Sequence, residues 1–193
     1  MGVRGKPKQG KLMAEEGPKI DVDPPSDWVV RFAPEVQKAG QVLDLACGTG
    51  RHARLFLGLG HPVLAVDKDI SWLRDIVDTR GLTIVEGDLE TADDPPAEIA
   101  ISKFFGVVVT NYLHRPLLPW ILGAVAIGGV LIYETFAMGN EKYGHPRNRD
   151  FLLKPAELQD AFGGELDVLA YDAREVERRG KPAVIQRIAA KRF

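Results

Sequence analysis

The chain is poor in cysteine, in net charge and in long apolar segments. Cys47 is the sole cysteine among 193 residues, which excludes an internal disulfide framework and favours a reducing compartment, so we expect a cytoplasmic protein. The formal net charge is −2 at pH 7, so the chain as a whole has no strong attraction to nucleic acids or anionic membranes, and neither is expected as a partner. The histidines have no metal-ligand spacing with Cys47 or with one another, so no metal centre is expected.

One uncharged run, from Leu117 to Tyr133, is the strongest candidate for a membrane segment. A transmembrane helix needs about 20 apolar residues, and this run is shorter. Pro119, Gly123 and Gly128 also interrupt it. The run therefore predicts a buried helix followed by a buried strand, and no membrane span.

The segment from Met1 to Pro25 has no hydrophobic periodicity and no apolar core of the kind that a signal peptide contains. Its glycine, proline, lysine and glutamate content predicts a flexible N-terminal tail, residues 1–25. The remaining residues, 26–193, have about the length of one domain. No internal repeat divides them, so we expect a single domain there.

Short apolar segments alternate along the chain with segments of helical character. The predicted strands are Val42–Ala46, Val63–Asp67, Thr83–Glu86, Gly106–Thr110 and Val130–Thr135, and the predicted helices are Ser26–Ala39, His52–Leu59, Ser71–Thr79, Pro116–Ile127 and Pro155–Ala161. Strands that are apolar throughout are typical of a parallel sheet covered on both faces. The alternation predicts an α/β fold with a Rossmann-like, doubly wound sheet.

The C-terminal third departs from this alternation. Two strand candidates, Leu166–Tyr171 and Ala183–Ala190, are joined by the polar link Asp172–Pro182, which has no helical face. Strands without an intervening helix are expected to pair antiparallel. The basic residues around that link, interleaved with glutamates, are predicted to form a solvated hairpin; they are Arg174, Arg178, Arg179 and Lys181.

The most informative segment is Gln41-Val-Leu-Asp-Leu-Ala-Cys-Gly-Thr-Gly50. A short apolar strand that contains Asp44 leads into a turn with Gly48 and Gly50, and a helical segment follows. Glycines let the backbone turn tightly and lie close to a ligand, and the free N–H groups of the helix face the same ligand. A carboxylate before the turn is unfavourable beside a phosphate, but it favours a ligand that carries an ammonium or sulfonium cation.

Acidic residues recur where successive strands end. Asp44 lies within the first strand, Asp67 ends the second, and Asp88 follows the third. The carboxyl ends of parallel strands converge on one crevice, where an acid that ends the second strand accepts ribose hydroxyls. A further carboxylate can accept the exocyclic amine of adenine. The crevice therefore suits an adenosine that bears a cationic tail.

The glycine turn, followed by Asp67 and by Gly87-Asp-Leu89, resembles the class I S-adenosylmethionine-dependent methyltransferases. The resemblance covers the chain from about Ser26 onward and implies a seven-stranded, mostly parallel sheet with an antiparallel last strand, and S-adenosyl-L-methionine as the cofactor. The cofactor-binding residues that it implies are Asp44, Ala46, Cys47, Gly48, Gly50, Asp67, Lys68, Asp88, Leu89, Asn111 and Tyr112. The turn would hold the amino-acid part of the cofactor and Asp67 the ribose. Ala46 departs from the family pattern, because many members have glycine there.

Within this class, the chain is similar to the small tellurite-resistance methyltransferases and their bacterial relatives. That similarity is carried by Gly50-Arg51, by Phe151-Leu-Leu-Lys-Pro-Ala-Glu-Leu158 and by the charged hairpin, whereas Asn111-Tyr-Leu-His-Arg-Pro116 departs from it. It implies transfer of a methyl group to a small-molecule acceptor by in-line displacement.

Two loops are expected to face the methyl acceptor. The loop after the fourth strand contains His114, the candidate general base. The loop Glu134–Arg149 follows the fifth strand, and loops of this length are usually lids or binding segments. Its candidate substrate-binding residues are Glu134, Arg147 and Arg149, the two arginines for an anionic acceptor.

Two other functions fit parts of the pattern. Gly48-Thr-Gly-Arg-His-Ala53 also matches the loose dinucleotide pattern, with Asp67 as the later acid, so an NAD(P)-dependent oxidoreductase is an alternative. Asp44 would face a pyrophosphate unfavourably, and no Tyr-x-x-x-Lys pair suited to proton relay is present. The other alternative hypothesis is a non-catalytic module that binds S-adenosylmethionine.

Overall fold

A seven-stranded sheet forms the centre of the computed structural model, which describes residues 20–90, 97–178 and 180–193. The strands are β1 (Val42–Leu45), β2 (Val63–Asp67), β3 (Leu82–Glu86), β4 (Phe104–Thr110), β5 (Val125–Phe136), β6 (Asp167–Arg178) and β7 (Lys181–Lys191). Their order across the sheet is β3-β2-β1-β4-β5-β7-β6. The first five strands pair in parallel, and β7 is antiparallel to both of its neighbours. The predicted α/β fold is confirmed.

The central strands are apolar because helices and loops cover both faces of the sheet. All four residues of β1 are buried. Leu43 and Leu45 belong to the core cluster on one face, and Val42 belongs to the cluster on the other. This alternation follows from the two-residue period of a strand. The loops of the site begin at the carboxyl ends of these buried strands.

The helices are short. They are α1 (Asp27–Phe32), α2 (Arg51–Gly58), α3 (Ala97–Ala100), α4 (Leu118–Ala124) and α5 (Glu157–Phe162). The Oγ of Ser26 accepts a hydrogen bond from the backbone N–H of Trp28 at 3.2 Å, so Ser26 is the N-cap of α1. Pro34 lies in the 3₁₀ turn Ala33–Glu35 that ends this helical segment.

Three predicted helices differ from the structure. The helix predicted to reach Ala39 ends with the 3₁₀ turn at Glu35. The segment Ser71–Thr79 contains only the end of one 3₁₀ turn, Ile70–Leu73, because the carboxylate of Asp69 binds both the N–H and the hydroxyl of Ser71. Such local side-chain bonds compete with a helical ladder. The predicted helix Pro116–Ile127 ends at Ala124, because the chain joins β5 there.

The uncharged run 117–133 is therefore divided between α4 and β5, as predicted. No helix in the described ranges combines the length and the apolar character that crossing a bilayer requires.

The charged link between the last two strands is itself β-structure. β6 continues to Arg178 and β7 begins at Lys181, and these two residues pair at the tip of the hairpin. Because Phe136 at the end of β5 pairs with Ile185, the hairpin tip extends beyond the carboxyl ends of the parallel strands. It thereby forms one wall of the site described below. Arg179 lies outside the described residues.

The division into a tail, 1–25, and a domain, 26–193, stays a prediction. Residues 1–19 lie outside the described part of the chain. Of the residues that follow, Ile20 is buried, and the carbonyl oxygen of Pro24 accepts a hydrogen bond from the Nη1 of Arg51 at 3.3 Å.

Candidate active site

The turn after β1 has an unusual backbone that brings it close to the sheet edge. Ala46, Gly48 and Gly50 all have positive φ angles, of 52°, 53° and 69°. Glycine adopts this left-handed conformation freely, whereas an alanine in it is strained by about 1–2 kcal/mol. The N–H of Cys47 donates to the carbonyl of Val66 at 3.0 Å, which ties the turn to β2.

Gly48 and Gly50 need to be glycine for different reasons. A Cβ added to Gly48 would meet no heavy atom within 4 Å, whereas one added to Gly50 would lie 2.4 Å from a methyl group of Leu73. Gly48 therefore keeps space open above the turn. Gly50 allows close packing beneath it, at the start of α2.

Asp44 lies below the turn. Its side chain is buried, and its Oδ2 accepts the N–H of Ala53 in the first turn of α2 at 2.8 Å. That N–H is one of the helix donors without an intrahelical partner, so the carboxyl caps the helix from the neighbouring strand. Burial raises the pKa of Asp44 from 3.8 to about 7.

His52 is the neighbour of Asp44 in this buried layer. Its Nε2 accepts the N–H of Ser26 at 3.2 Å, so its proton is on Nδ1, which lies 3.5 Å from the hydroxyl of Thr110 and 3.9 Å from Asp44. Burial lowers the pKa of His52 from 6.5 to about 3, so the ring is neutral at pH 7. It connects the glycine turn with the start of α1.

Asp67 lies at the carboxyl end of β2 and faces the turn. Its Oδ2 accepts the N–H of Gly48 at 2.7 Å, and its Oδ1 accepts the N–H of Asp69 at 3.0 Å. The carboxylate thus fixes the conformation of the turn and remains only partly buried.

The turn opens into a cavity of about 340 Å³, called here the glycine-turn cleft. Its lining residues are Asp23, Ala46, Cys47, Gly48, Thr49, Arg51, Asp67, Lys68, Gly87, Asp88, Leu89, Glu90, Thr110, Asn111 and Tyr112. Nine of the predicted cofactor-binding residues are in this set. Asp44 and Gly50 are not, because they support the turn from below.

The cleft is acidic. Asp23, Asp67, Asp88 and Glu90 line it, against the two cations Arg51 and Lys68. Burial raises the pKa of the Cys47 thiol well above its ordinary value, with the carboxylates of Asp44 and Asp67 adding to the shift. The environment of the cysteine in the cleft therefore favours the protonated thiol over the thiolate.

A second cavity, of about 1120 Å³, adjoins the cleft and is called here the basic groove. The charged groups among its described lining residues are the cations Arg31, Arg51, Arg174, Arg178, Lys181 and Arg187 and the acids Asp23, Asp27, Glu134 and Glu177. It shares Asp23, Arg51 and Asn111 with the cleft. A molecule in the groove can therefore reach a molecule in the cleft.

Glu134 is the buried centre of this groove. Its Oε1 accepts from the hydroxyl of Ser26 at 3.0 Å and from Arg178 at 3.3 Å, and its Oε2 accepts from Arg187 at 3.5 Å. The side chain of Arg187 is also bound to Asp172 at 2.7 Å. Glu134 thus joins α1 to the hairpin, and its carboxylate is engaged by protein groups.

Arg178 is also bound to the residue at the junction of the cavities. Its Nη1 donates to the Oδ1 of Asn111 at 2.9 Å, and its guanidinium lies 5.3 Å from the ring centre of Phe136. Asn111 itself has a φ of 56°, a rare conformation for a residue other than glycine. The prediction of a merely solvated hairpin is wrong for Arg178, because three groups of the site hold it.

A third cavity, of about 440 Å³, is called here the aromatic pocket. It is lined by Glu90, Asn111, Tyr112, Leu113, Thr135, Phe136, His145, Pro146 and Phe151. The hydroxyl of Tyr112 is buried and has no hydrogen-bond partner among the described residues. Asn111 lines all three cavities, so they meet at the end of β4.

Three predicted acceptor residues do not line these cavities. His114 is partly buried and precedes the 3₁₀ turn Arg115–Leu117, while Arg147 and Arg149 are exposed. Their roles stay predictions. The loop that carries the two arginines is anchored by Asn140, whose side chain accepts the N–H of Val184 at 3.1 Å and donates to the carbonyl of His145 at 3.3 Å.

Residues that sequence reasoning did not place in the site include Arg51, Arg178 and Asp23. The position of Arg178 could have been predicted from the sequence. Every second residue of a strand lies on the same face, so Arg178 shares one face of β6 with Arg174 and Val176. The position of Asp23 could not have been predicted in this way, because its segment has no hydrophobic periodicity.

The sequence of this chain matches one known protein family. The sequence profile described as "Tellurite resistance protein TehB" matches residues 23–179. The chain belongs to the TehB family. The similarity to tellurite-resistance methyltransferases is therefore confirmed. No curated protein matches the sequence.

Solved structures of TehB, of a TehB-like protein and of another methyltransferase share the fold. TehB from Haemophilus influenzae superposes with a TM-score of 0.69 at 18% identity; the match covers 85% of this chain but only 61% of that one. A TehB-like SAM-dependent methyltransferase from Corynebacterium glutamicum gives 0.59 at 18% identity, covering 86% and 87%. The glycopeptide N-methyltransferase MtfA, complexed with (S)-adenosyl-L-methionine, gives 0.58 at 18% identity, covering 86% and 92%. The cofactor predicted from the sequence is the one bound in the MtfA structure.

Proposed function

We propose that this chain transfers the methyl group of S-adenosylmethionine to a small-molecule acceptor. The observation that carries the proposal is the acidic glycine-turn cleft, which opens at Asn111 into a groove rich in arginine. The charges of the two cavities suit a cationic methyl donor and an anionic acceptor. Family membership and the TehB-like neighbours support the same reaction class.

The residues of the cleft fit the donor. Its size is at the lower end of the range of about 300–1,000 Å³ typical of ligand sites. A side chain at Gly48 would project into open space there, so the glycine leaves room for a ligand against the backbone. When bound, S-adenosylmethionine supplies a methyl group already activated by its positively charged sulfur.

The roles of individual residues follow from their positions. Asp67 would bind the ribose hydroxyls while it keeps its bond to the N–H of Gly48. Lys68, Asp88 and Leu89 would border the adenine. Asn111 and Tyr112 would lie on the methyl side, next to the basic groove.

The acceptor would bind in the basic groove through a negatively charged group. Among the described residues that line it, cations outnumber acids, and Glu134 is already bound to Arg178 and Arg187. Arg51 has its Nη2 buried without a hydrogen-bond partner in the described part of the chain, and it lines both cavities. It is therefore well placed to bind an anionic acceptor beside the donor. His114 remains the proposed base for acceptors that need one.

The experiment that tests the function is a methyl-transfer screen with S-adenosylmethionine and small acceptors, namely chalcogen oxyanions, thiols, phenols and carboxylates. We expect turnover of at least one anionic class and strong loss of it in Arg51→Ala. Binding of the cofactor without transfer to any class would favour the non-catalytic module.

Replacement of Asp67 by alanine is expected to weaken cofactor binding by about 1–3 kcal/mol, because the ribose hydroxyls and the Gly48 N–H lose their acceptor. Isothermal calorimetry with S-adenosylhomocysteine measures the change. Asp75→Ala is the matched control, since Asp75 is exposed, pairs with Arg54 at 2.7 Å and does not line the cleft. An unchanged dissociation constant in Asp67→Ala would remove Asp67 from the ribose role.

A further inference from the structure

The aromatic pocket differs in chemistry from the groove beside it. Most of its lining consists of side chains that contain a ring, namely Tyr112, Phe136, His145, Pro146 and Phe151. No lysine or arginine of the described chain lines it, and its one carboxylate is Glu90. A bare inorganic anion would find no countercharge here, whereas a flat apolar ring would be well matched.

The position of this pocket connects it with both other cavities. It shares Glu90, Asn111 and Tyr112 with the glycine-turn cleft, and Asn111, Phe136 and His145 with the basic groove. A molecule with a ring in the aromatic pocket can therefore place one substituent toward the cleft and another toward the arginines. Neither cavity alone could satisfy both ends of such a molecule.

Two side chains support a ligand at this junction. The guanidinium of Arg178 lies over the ring of Phe136, so the cationic wall and the aromatic wall are in contact. The buried hydroxyl of Tyr112 has no partner among the described residues. Because an unpaired buried hydroxyl is costly, rotation of the Tyr112 side chain to bring it to a polar atom of the ligand would be favourable.

We propose that the aromatic pocket binds the ring of the methyl acceptor, and that the acceptor is a planar aromatic acid. Its ring lies among Tyr112, Phe136 and Phe151, and its carboxylate faces the basic groove. This inference rests on the proposed methyltransferase function and specifies the acceptor class of that same site.

The test compares matched pairs of acids on protein saturated with S-adenosylhomocysteine. Thiosalicylate, salicylate and anthranilate carry a thiol, a hydroxyl and an amine two carbons from the carboxylate carbon. 3-Mercaptopropionate, 3-hydroxypropionate and β-alanine carry the same groups at the same spacing without a ring. Calorimetry measures binding directly, so the result does not depend on turnover.

We expect at least one aromatic acid to bind about tenfold more tightly than its aliphatic partner, since ring burial and aromatic contact each add to affinity. Sodium selenite, as a ring-free oxyanion, should bind more weakly than that aromatic acid. The inference is overturned if no aromatic acid binds more tightly than its partner, or if none binds at all.

A variant separates the pocket from the fold. Phe151 is 44% exposed, so Phe151→Ala should fold, and it should reduce the aromatic preference several-fold without changing the affinity for S-adenosylhomocysteine. Phe193→Ala, at 77% exposure and outside the pocket lining, is the control. Equal weakening of both acids in a pair would indicate a structural role and contradict the inference.

The two proposals fail in different ways. Absence of S-adenosylhomocysteine binding would remove the proposed function. Normal S-adenosylhomocysteine binding without any aromatic preference would leave that function in place and overturn the acceptor class alone.

Discussion

Replacement of Glu134 by alanine is expected to lower the free energy of unfolding by about 3 kcal/mol. The carboxylate is buried and accepts bonds from Ser26, Arg178 and Arg187. Removing one partner of a buried ion pair leaves the opposite charge uncompensated, which typically costs about 3–5 kcal/mol. Arg187 keeps its bond to Asp172, so the lower end of that range applies.

Urea unfolding measured by circular dichroism would show this loss as a lower midpoint with an unchanged slope. Glu175→Ala is the control, because Glu175 pairs with Lys142 at 3.5 Å with both side chains more than half exposed. Such surface pairs contribute about 0–1 kcal/mol. Similar midpoint shifts in the two variants would contradict the structural role of Glu134.

Replacement of Asp44 by asparagine is expected to stabilise the ligand-free protein above pH 7 and to make its free energy of unfolding decrease as the pH falls below 6.5. Burial raises the pKa of Asp44 from 3.8 to about 7, so the folded state binds this proton more tightly than the unfolded state does. The stability contributed by the group is therefore present below pH 3.8 and lost as the pH rises to about 7. At about 1.4 kcal/mol per pKa unit, the loss is on the order of 4 kcal/mol.

Asparagine avoids this loss because it does not ionise, and its oxygen can still accept the N–H of Ala53. His52 has the opposite dependence. Burial lowers its pKa from 6.5 to about 3, so its contribution is present above pH 6.5 and lost as the pH falls toward 3. In the wild type the two slopes oppose each other between pH 3.8 and 6.5, whereas Asp44→Asn keeps only that of His52.

Urea unfolding of the wild type and of Asp44→Asn at pH 8 and pH 5 measures this difference in the free energy of unfolding. The variant should exceed the wild type by on the order of 4 kcal/mol at pH 8, and this advantage should shrink at pH 5. Asp75→Asn, which removes an exposed carboxylate paired with Arg54, should show no such gain at pH 8. An Asp44→Asn protein less stable than wild type at pH 8 would show that the ionised carboxylate supports the fold.

The sequence predicted the parallel strands and the turn well, because both depend on local residue types. Val63–Asp67 is a strand with the bounds that its apolar run predicts. Gly48 lines the cleft because its missing Cβ leaves space there. These features follow from short segments, so one sequence suffices to find them.

The contacts that the sequence could not predict depend on residues far apart in the chain. Asp44 stays a predicted cofactor residue, but its bond to the N–H of Ala53 depends on the packing of α2 on β1, which the sequence does not show. Arg178 looked solvated, but the hairpin brings it to Asn111 and Glu134, 67 and 44 residues away. A charge pattern cannot reveal such partners without the sheet order.

The aromatic pocket was equally hidden. Its lining comes from the loop after β3, the end of β4, the end of β5 and the loop that follows it. Phe136 and Phe151 each look like ordinary apolar residues in the sequence. Only the position of β5 beside β4 brings them next to Tyr112.

In the proposed function, the glycine-turn cleft binds S-adenosylmethionine and its product. Calorimetric titration of the wild-type protein with S-adenosylhomocysteine and, in parallel, with NADH tests it most directly. We predict saturable binding of S-adenosylhomocysteine, weakened in Asp67→Ala, and no binding of NADH. Binding of NADH without binding of S-adenosylhomocysteine would overturn the assignment of the cofactor and favour a dinucleotide-dependent oxidoreductase.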